Sequence, residues 1–158
     1  MQCIEQTEQR AQYLRTLFDT IPLPAFILDE DVRIQDFNMA AAQFIGPEPA
    51  SALYRRGGEA LHCIHSQAAG CGKARPCEDC LIRRSVLRAI QGETTWRERH
   101  TVELNNGRGP SPTELLVTAS LLPYTEKPQA LLILENLTET MTAYGPARAA
   151  GLRAARRV

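Results

Sequence analysis

The chain has 158 residues, 44% of them hydrophobic, and its 18 basic and 18 acidic side chains give a formal net charge of zero. This length suits one domain with extensions, and its core needs no cross-links. The balanced charge argues against nucleic acid or a membrane as a partner. The polar N-terminus predicts no signal peptide, and no apolar run approaches the roughly 20 residues of a membrane span, so we expect a cytoplasmic location.

The first predicted element is a helix over residues 2–21, which Pro22 and Pro24 end. Apolar side chains recur along it at heptad spacing on two neighbouring seams. They are Ile4, Ala11 and Phe18 on one seam, and Leu14 and Ile21 on the other. This pattern is equally consistent with an amphipathic helix that packs on its own domain and with a helix that dimerises.

The next residues predict a β-hairpin that leads into a helix. An apolar run at 25–28, a polar turn at 29–31 and an alternating stretch at 32–37 are typical of two antiparallel strands. Asn38 has a side chain suited to cap the helix that follows, over residues 39–45.

A loop-rich segment over 47–76, with a short helix predicted at 59–64, leads to a longer helix. That helix is predicted to begin at Cys77 and to end near Gln91, where Gly92 stops it. Residues at helical spacing give it an inner face. They are Leu81, Ile82, Ser85, Val86, Ala89 and Ile90.

The last third of the chain predicts three strands. The segment 95–104 alternates, an Asn-Gly turn follows at 105–109, and 113–124 and 130–135 supply the other two strands. Trp96 opens the first of these strands, and we expect it to pack on the sheet in the core, with a dimer contact as the alternative. The remaining residues turn helical and basic, which predicts a mobile tail or a linker.

Two strands, several helices and three further strands can close one five-stranded antiparallel sheet with helices on one face, an α+β fold. This layout resembles the PAS sensor family. The resemblance rests on the opening phrase LFDTIPLPAFILDEDVRIQDFNMAAAQFIG, and on the closing phrases LLVTASLLPY and ALLILENLTE. It covers about residues 12–140.

The resemblance implies a PAS fold with a pocket between sheet and helices, and with flanking N- and C-terminal helices. It divides the chain into a flanking helix (1–20), the PAS domain (21–138) and a helical, basic tail (139–158). PAS domains sense light, oxygen, redox state or small molecules, and they often dimerise through their flanking helices. We therefore expect a homodimer, no enzymatic activity, and a signalling output partner such as a histidine kinase or a transcription regulator.

Four of the five cysteines fall within eighteen residues, in the pattern C-x7-C-x5-C-x2-C. Gly70 and Gly72 let the backbone bend around a metal and aim its N–H groups at sulfur. The last two cysteines open the predicted helix, whose free N–H groups and dipole favour thiolates. In a reducing compartment such a cluster points to metal binding. The predicted ligands are Cys63, Cys71, Cys77 and Cys80.

An iron–sulfur cluster, of the 4Fe–4S type, is the favoured centre, because the family senses redox and gas signals and a subset of it carries cysteines in this region. A structural zinc ion is the alternative, since four cysteines also suit zinc and would staple a loop-rich segment. Two disulfides, a metal-free dithiol switch and free thiols stay open as well. Cys3 lies far from the cluster in sequence and is interpreted as incidental.

The other chemistry-bearing residues indicate no catalytic site, because the sequence has no phosphate-binding loop and no Ser-His-Asp constellation. His62 or His65 could replace one cysteine as a ligand, while His100 is interpreted as a surface residue of its strand. The arginines of the cysteine-led helix are interpreted as a solvated face, or as charges that offset a thiolate site. They are Arg83, Arg84 and Arg88.

Overall fold

The computed structural model describes residues 2–123 and 125–139. It contains five α-helices, two short 3₁₀ helices and five strands within those ranges. In chain order they are α1 (Gln2–Thr20), β1 (Ala25–Asp29), β2 (Ile34–Phe37), α2 (Met39–Ile45), a 3₁₀ helix (Pro49–Ala52), α3 (Gly57–Ala60), α4 (Ile64–Ala69), a 3₁₀ helix (Arg75–Asp79), α5 (Leu81–Ile90), β3 (Thr95–Asn105), β4 (Pro110–Leu122) and β5 (Gln129–Asn136).

The five strands form one antiparallel sheet in the order β2-β1-β5-β4-β3, which confirms the predicted α+β architecture. The last strand therefore lies in the middle and joins the N-terminal hairpin to β4. Alternate residues of β4 and β5 are buried beneath α5, whose own buried side chains include Val86 and Ala89. This alternation places one face of the sheet in the core.

Asn38 fastens the first hairpin to the helices on either side of it. Its side chain is fully buried, and it caps α2 as predicted. The Oδ1 atom accepts hydrogen bonds from the backbone N–H groups of Ala25 and Ala41, at 3.0 and 2.9 Å. The Nδ2 group donates to the carbonyl oxygens of Phe18, Ile21 and Leu23, at 3.2, 3.2 and 3.0 Å. Every hydrogen-bonding atom of this buried amide is thus paired.

The prediction that a helix begins at Cys77 is wrong, because α5 begins at Leu81. Cys77 lies in the second 3₁₀ helix, where hydrogen bonds join residues three apart, and Cys80 is extended and serves as the N-cap of α5. The predicted short helix at 59–64 is replaced by α3 and α4. They are separate because His62, between them, has a left-handed backbone with φ of 57°.

Helix α1 lies against the rest of the chain only near its C-terminal end. Its described side chains are exposed up to Leu17, with Ile4 65% and Leu14 54% exposed. Arg15 holds that end by bonding to the carboxylates of Asp19 and Asp36. The interpretation of α1 as a helix that packs along its own domain is therefore wrong for most of its length.

Trp96 is 73% exposed, so the expectation that it packs in the core is also wrong. The register between β3 and β4 shifts between Thr95 and Glu98, and Arg97 within that bulge has φ of 46°. A bulge changes which side of the strand the following side chains occupy, and here it turns Trp96 outward. Arg97 itself forms a bidentate pair with Glu135 on the sheet surface.

Of the described helices, none is both long enough and apolar enough to cross a membrane. The predicted basic tail over 139–158 falls outside the described residues, apart from Glu139. Its helical character therefore stays a prediction.

Candidate metal centre

A pocket of about 320 Å³ lies between β3 and the short helices that precede α5. All four clustered cysteines line it, together with an apolar wall to which Val32, Ile82 and Val102 contribute. These cysteines span eighteen residues of sequence that fold around one space. The structure therefore brings the predicted ligands together, and the lining cysteines are Cys63, Cys71, Cys77 and Cys80.

Backbone hydrogen bonds fix the chain around Cys63. Its N–H group donates to the carbonyl oxygen of Gly58 at 2.8 Å, and Cys63 forms an isolated antiparallel bridge with Leu104 of β3. The carbonyl oxygen of Cys63 accepts from the Ser66 hydroxyl at 2.7 Å, at the start of α4. These contacts anchor the first cysteine to the edge of the sheet.

Cys71 lies against Gly58, on the opposite side of the loop. A Cβ atom at residue 58 would fall 2.8 Å from the Sγ atom of Cys71 and 3.5 Å from the Cβ atom of Cys63. Only glycine leaves room for this approach. The missing side chain at residue 58 thus lets two of the four cysteines meet across the pocket wall.

Cys77 and Cys80 reach the pocket from the helix side. Cys77 is buried in the second 3₁₀ helix, and Cys80 precedes the first turn of α5. The first N–H groups of a helix have no partner within the helix, so the environment after Cys80 favours negative charge. The helix start therefore lies at Leu81, four residues after the predicted position, and its predicted role in favouring thiolates stays a prediction.

Burial raises the pKa of the Cys63 and Cys71 thiols above the ordinary cysteine value. Repulsion from charge on Cys77 and Cys80 raises both pKa values further, while backbone N–H groups of His65 and Gly58 oppose the shifts. Charge on Cys77 or Cys80 would therefore be felt at both Cys63 and Cys71. A bound cation would reverse the repulsion, because metal ligation requires the thiolate form.

No group of three or more His, Cys, Asp or Glu side chains within 2–123 and 125–139 is already positioned to hold a metal ion. A metal held by the four cysteines would therefore require their sulfur atoms to move closer to one centre than they are in this structure. Two features fit a four-thiolate centre: a donor set made of sulfur, which suits zinc and iron–sulfur clusters, and the approach of cysteines that Gly58 permits. The four thiols are free, with no disulfide among them.

The histidines divide between two pockets. His65 lines the cysteine pocket, whereas His62 lines a larger and more open groove of about 850 Å³. His100 also lines the cysteine pocket, so its interpretation as a surface residue is wrong. Burial, aided by the charge of Arg84, lowers the pKa of His100. Its alternation with Val102 on β3 was the sequence signal that could have placed it inward.

The family model described as a PAS domain matches residues 12–78 of the chain. No curated protein matches the sequence at a significant level. Among solved structures, the chain is similar to the PAS domain of an HTR-like protein from Haloarcula marismortui, with 17% identity and a TM-score of 0.56, over 86% of this chain and 98% of that one. The PAS domain of BvgS from Bordetella pertussis is 16% identical with a TM-score of 0.55, over 96% and 98%.

A domain of a sensory box sensor histidine kinase/response regulator from Geobacter sulfurreducens is 26% identical, with a TM-score of 0.50, over 80% of this chain and 93% of that one. Together with the five-stranded sheet, these likenesses confirm the predicted PAS fold. They do not test whether the cysteine cluster defines a subset of such domains, so that part of the resemblance stays a prediction.

Proposed function

We propose that this chain is a PAS signal-sensing domain, and that it senses redox state or oxygen through a metal centre held by its four clustered cysteines. The observation that supports this most is that one pocket is lined by Cys63, Cys71, Cys77 and Cys80. We take the centre to be a 4Fe–4S cluster, which when bound supplies an electron-transfer couple that oxygen can attack. A cytoplasmic location, where thiols stay reduced, belongs to the same proposal.

The protein's own part is to bind, shield and connect this centre. The apolar wall of the pocket limits water, and residue 58 lets Cys63 and Cys71 approach each other. Cys80 adjoins α5, which packs on the central strands β4 and β5. A structural change at Cys80 could therefore be transmitted through α5 to β4 and β5, and β5 leads on to the C-terminal residues.

For output, we propose a homodimer formed through α1 and a partner such as a histidine kinase or a transcription regulator. The exposed apolar side chains of α1 support the dimer, and the relative from a sensor histidine kinase supports that class of partner.

Light scattering should give a dimer mass for the wild type and a lower mass for Leu14→Glu. Gln9→Glu, which adds the same charge to the same helix, should stay dimeric. A monomeric wild type would contradict this part.

The experiment that tests the centre is anaerobic purification, followed by a visible spectrum and by iron, sulfide and zinc analysis per chain. We expect a brown protein with near-equal iron and sulfide, colourless after Cys77→Ser. Cys3→Ser changes the one cysteine outside the cluster and should keep the colour. Metal content that is unchanged in Cys77→Ser would contradict the proposal.

Zinc is the second candidate, because the donor set suits it equally and the segment between α2 and α5 consists of short helices that a metal would cross-link. A colourless protein with one zinc ion per chain, lost in Cys77→Ser, would establish it. A metal-free dithiol switch is the third, favoured by the approach of Cys63 and Cys71 over Gly58. Five freely alkylated thiols, those of the four clustered cysteines and of Cys3, in metal-free protein made under metal-replete, reducing conditions would support it.

A further inference from the structure

We propose that Arg83 is the counter-charge of the four-cysteine site: its guanidinium group, which lies against Gly72 at the edge of the pocket, offsets the negative charge of the bound centre and sets how tightly that centre is held. This inference deepens the proposed function and rests on it. It identifies a positioning residue outside the set of cysteines. The residue is the third of α5, one turn beyond Cys80.

The first observation is an unpaired polar atom. The Nη1 atom of Arg83 is buried and has no hydrogen-bond partner among the described residues. A buried cationic donor without a partner is costly, and folded proteins rarely retain one. The neighbouring Arg84, in contrast, is exposed. Arg83 is therefore the arginine of α5 that a nearby anion would stabilise most.

The second observation is where this guanidinium lies. A Cβ atom at Gly72 would fall 2.6 Å from Nη1 and 3.0 Å from Cζ of Arg83. The planar group therefore lies directly over the backbone that follows Cys71, and Gly72, with φ of 87°, also adopts a conformation that other residues avoid. Arg83 thus lies against the residue that follows Cys71, one of the four proposed ligands.

Charge balance explains why the site needs this residue. Four thiolates around a divalent ion, or around an iron–sulfur cluster, leave a net negative charge of about two. Placing that charge in a pocket with an apolar wall is unfavourable unless a cation lies beside it. Arginine suits this role because it stays protonated and presents several N–H donors in one plane. Those donors can bond to sulfur that is already ligated.

The test is metal affinity measured with Co²⁺, whose thiolate absorption reports sulfur ligation, on reduced metal-free protein with a competing chelator. We expect Arg83→Gln to weaken Co²⁺ binding about 10- to 100-fold, the range typical of residues that support metal ligands. Arg83→Lys, which keeps the charge and loses the planar fork, should recover part of it. Arg88→Gln is the matched control, removing one charge farther along α5, and should change the affinity less than about twofold.

A second readout separates this role from a structural one. Because Nη1 has no hydrogen-bond partner in the part of the chain that the structure describes, metal-free Arg83→Gln should unfold at the same temperature as the wild type or higher. The inference is overturned if Arg83→Gln binds Co²⁺ like Arg88→Gln, or if it lowers the unfolding temperature of the metal-free protein. If the wild type takes up no Co²⁺ through its cysteines, the proposed centre fails and the inference fails with it. If the wild type binds Co²⁺ through its cysteines and Arg83→Gln binds it equally tightly, the inference about Arg83 is refuted and the proposed centre stands.

Discussion

Two regions of this molecule contain backbone outside the long helices and strands, and they differ in how it is stabilised. The Asn38 junction, in which the Asn38 side chain bonds to backbone groups between Phe18 and Ala41, is complete in protein atoms. The cysteine segment, residues 57–80, is made of short helices, and its thiols face a pocket. Beside it, the half-buried Arg83 has one buried donor atom, Nη1, with no hydrogen-bond partner among the described residues. The first region is held together by the protein's own hydrogen bonds, whereas the second is the one that we propose a bound metal completes.

The largest effect should come from breaking the Asn38 junction. Asn38→Ala removes five hydrogen bonds, two buried and three partly buried, and leaves their backbone partners unsatisfied, so we expect a loss of about 3–5 kcal/mol in the free energy of unfolding. Urea denaturation measures it. In an exposed turn, Asn106→Ala removes one bond to the N–H group of Arg108 and should cost less than about 1 kcal/mol. Equal losses in the two variants would show that burial and bond number do not govern the junction.

The second-largest effect should come from removing the proposed metal, which tests the difference between the two regions directly. A ligand at about 100 times its Kd stabilises the state that binds it by about 2.7 kcal/mol. Chelation should therefore speed hydrogen exchange about 100-fold for amides of 57–80. Amides of 25–45 that exchange through local fluctuations should keep their rates. A uniform acceleration along the chain would mean that the metal stabilises the fold as a whole and does not order the segment.

These two regions also differ in how well the sequence predicts them. The hairpin, the cap and the bounds of α2 follow from local rules: an apolar strand, an Asp-rich turn and an Asn before an alanine-rich helix. Because the partners of Asn38 include groups close to it in sequence, short-range patterns are sufficient. The pairing of β1 with β5, which buries the hairpin, adds long-range packing but does not change these elements.

For the cysteine segment, the sequence predicts which residues share a site but not the backbone conformation that positions them. The spacing of the cysteines indicates a shared site, but whether Cys77 starts an α-helix or a 3₁₀ helix depends on packing around Pro76. An alternation pattern cannot reveal the β-bulge near Arg97, and it therefore predicts that Trp96 points inward. The charged neighbours of His100 on its strand predict a surface position for that residue. An unpaired atom in Arg83 is likewise a property of three-dimensional contacts alone.

A smaller effect should follow from filling the space at residue 58. Gly58→Ala places a Cβ atom 2.8 Å from the Sγ atom of Cys71, so overpacking should cost about 1–2 kcal/mol and displace that ligand. Gly57→Ala is the adjacent control, since its Cβ atom would meet only Leu28 Cδ2, at an ordinary 3.9 Å. Thermal unfolding and Co²⁺ titration together report both effects. If the two variants behave alike, the close approach at residue 58 is unimportant for the site.

The smallest effect is the pH dependence of the metal-free protein. Burial raises the pKa of the Cys63 and Cys71 thiols in the folded state, so the folded protein holds these protons more firmly than the unfolded chain does. The resulting stability is fully present below the unfolded thiol pKa, near 8.5, and is lost as the pH rises through the folded values. Urea midpoints measured under reductant between about pH 7 and 10 should therefore fall more steeply for the wild type than for a Cys63→Ser, Cys71→Ser double variant.

The same titration tests the contrast between the two regions, because the Asn38 side chain carries no ionisable group. Asn38→Ala should lower the whole curve of stability against pH without changing its alkaline slope, whereas the double serine variant should flatten the slope. Lys and Tyr side chains that titrate at high pH are common to all three proteins, so they cancel in the comparison. Parallel curves for the wild type and the double variant would show that the buried thiols do not couple protonation to folding. In the loaded protein the thiolates are the bound form, so metal affinity should instead fall as the pH is lowered.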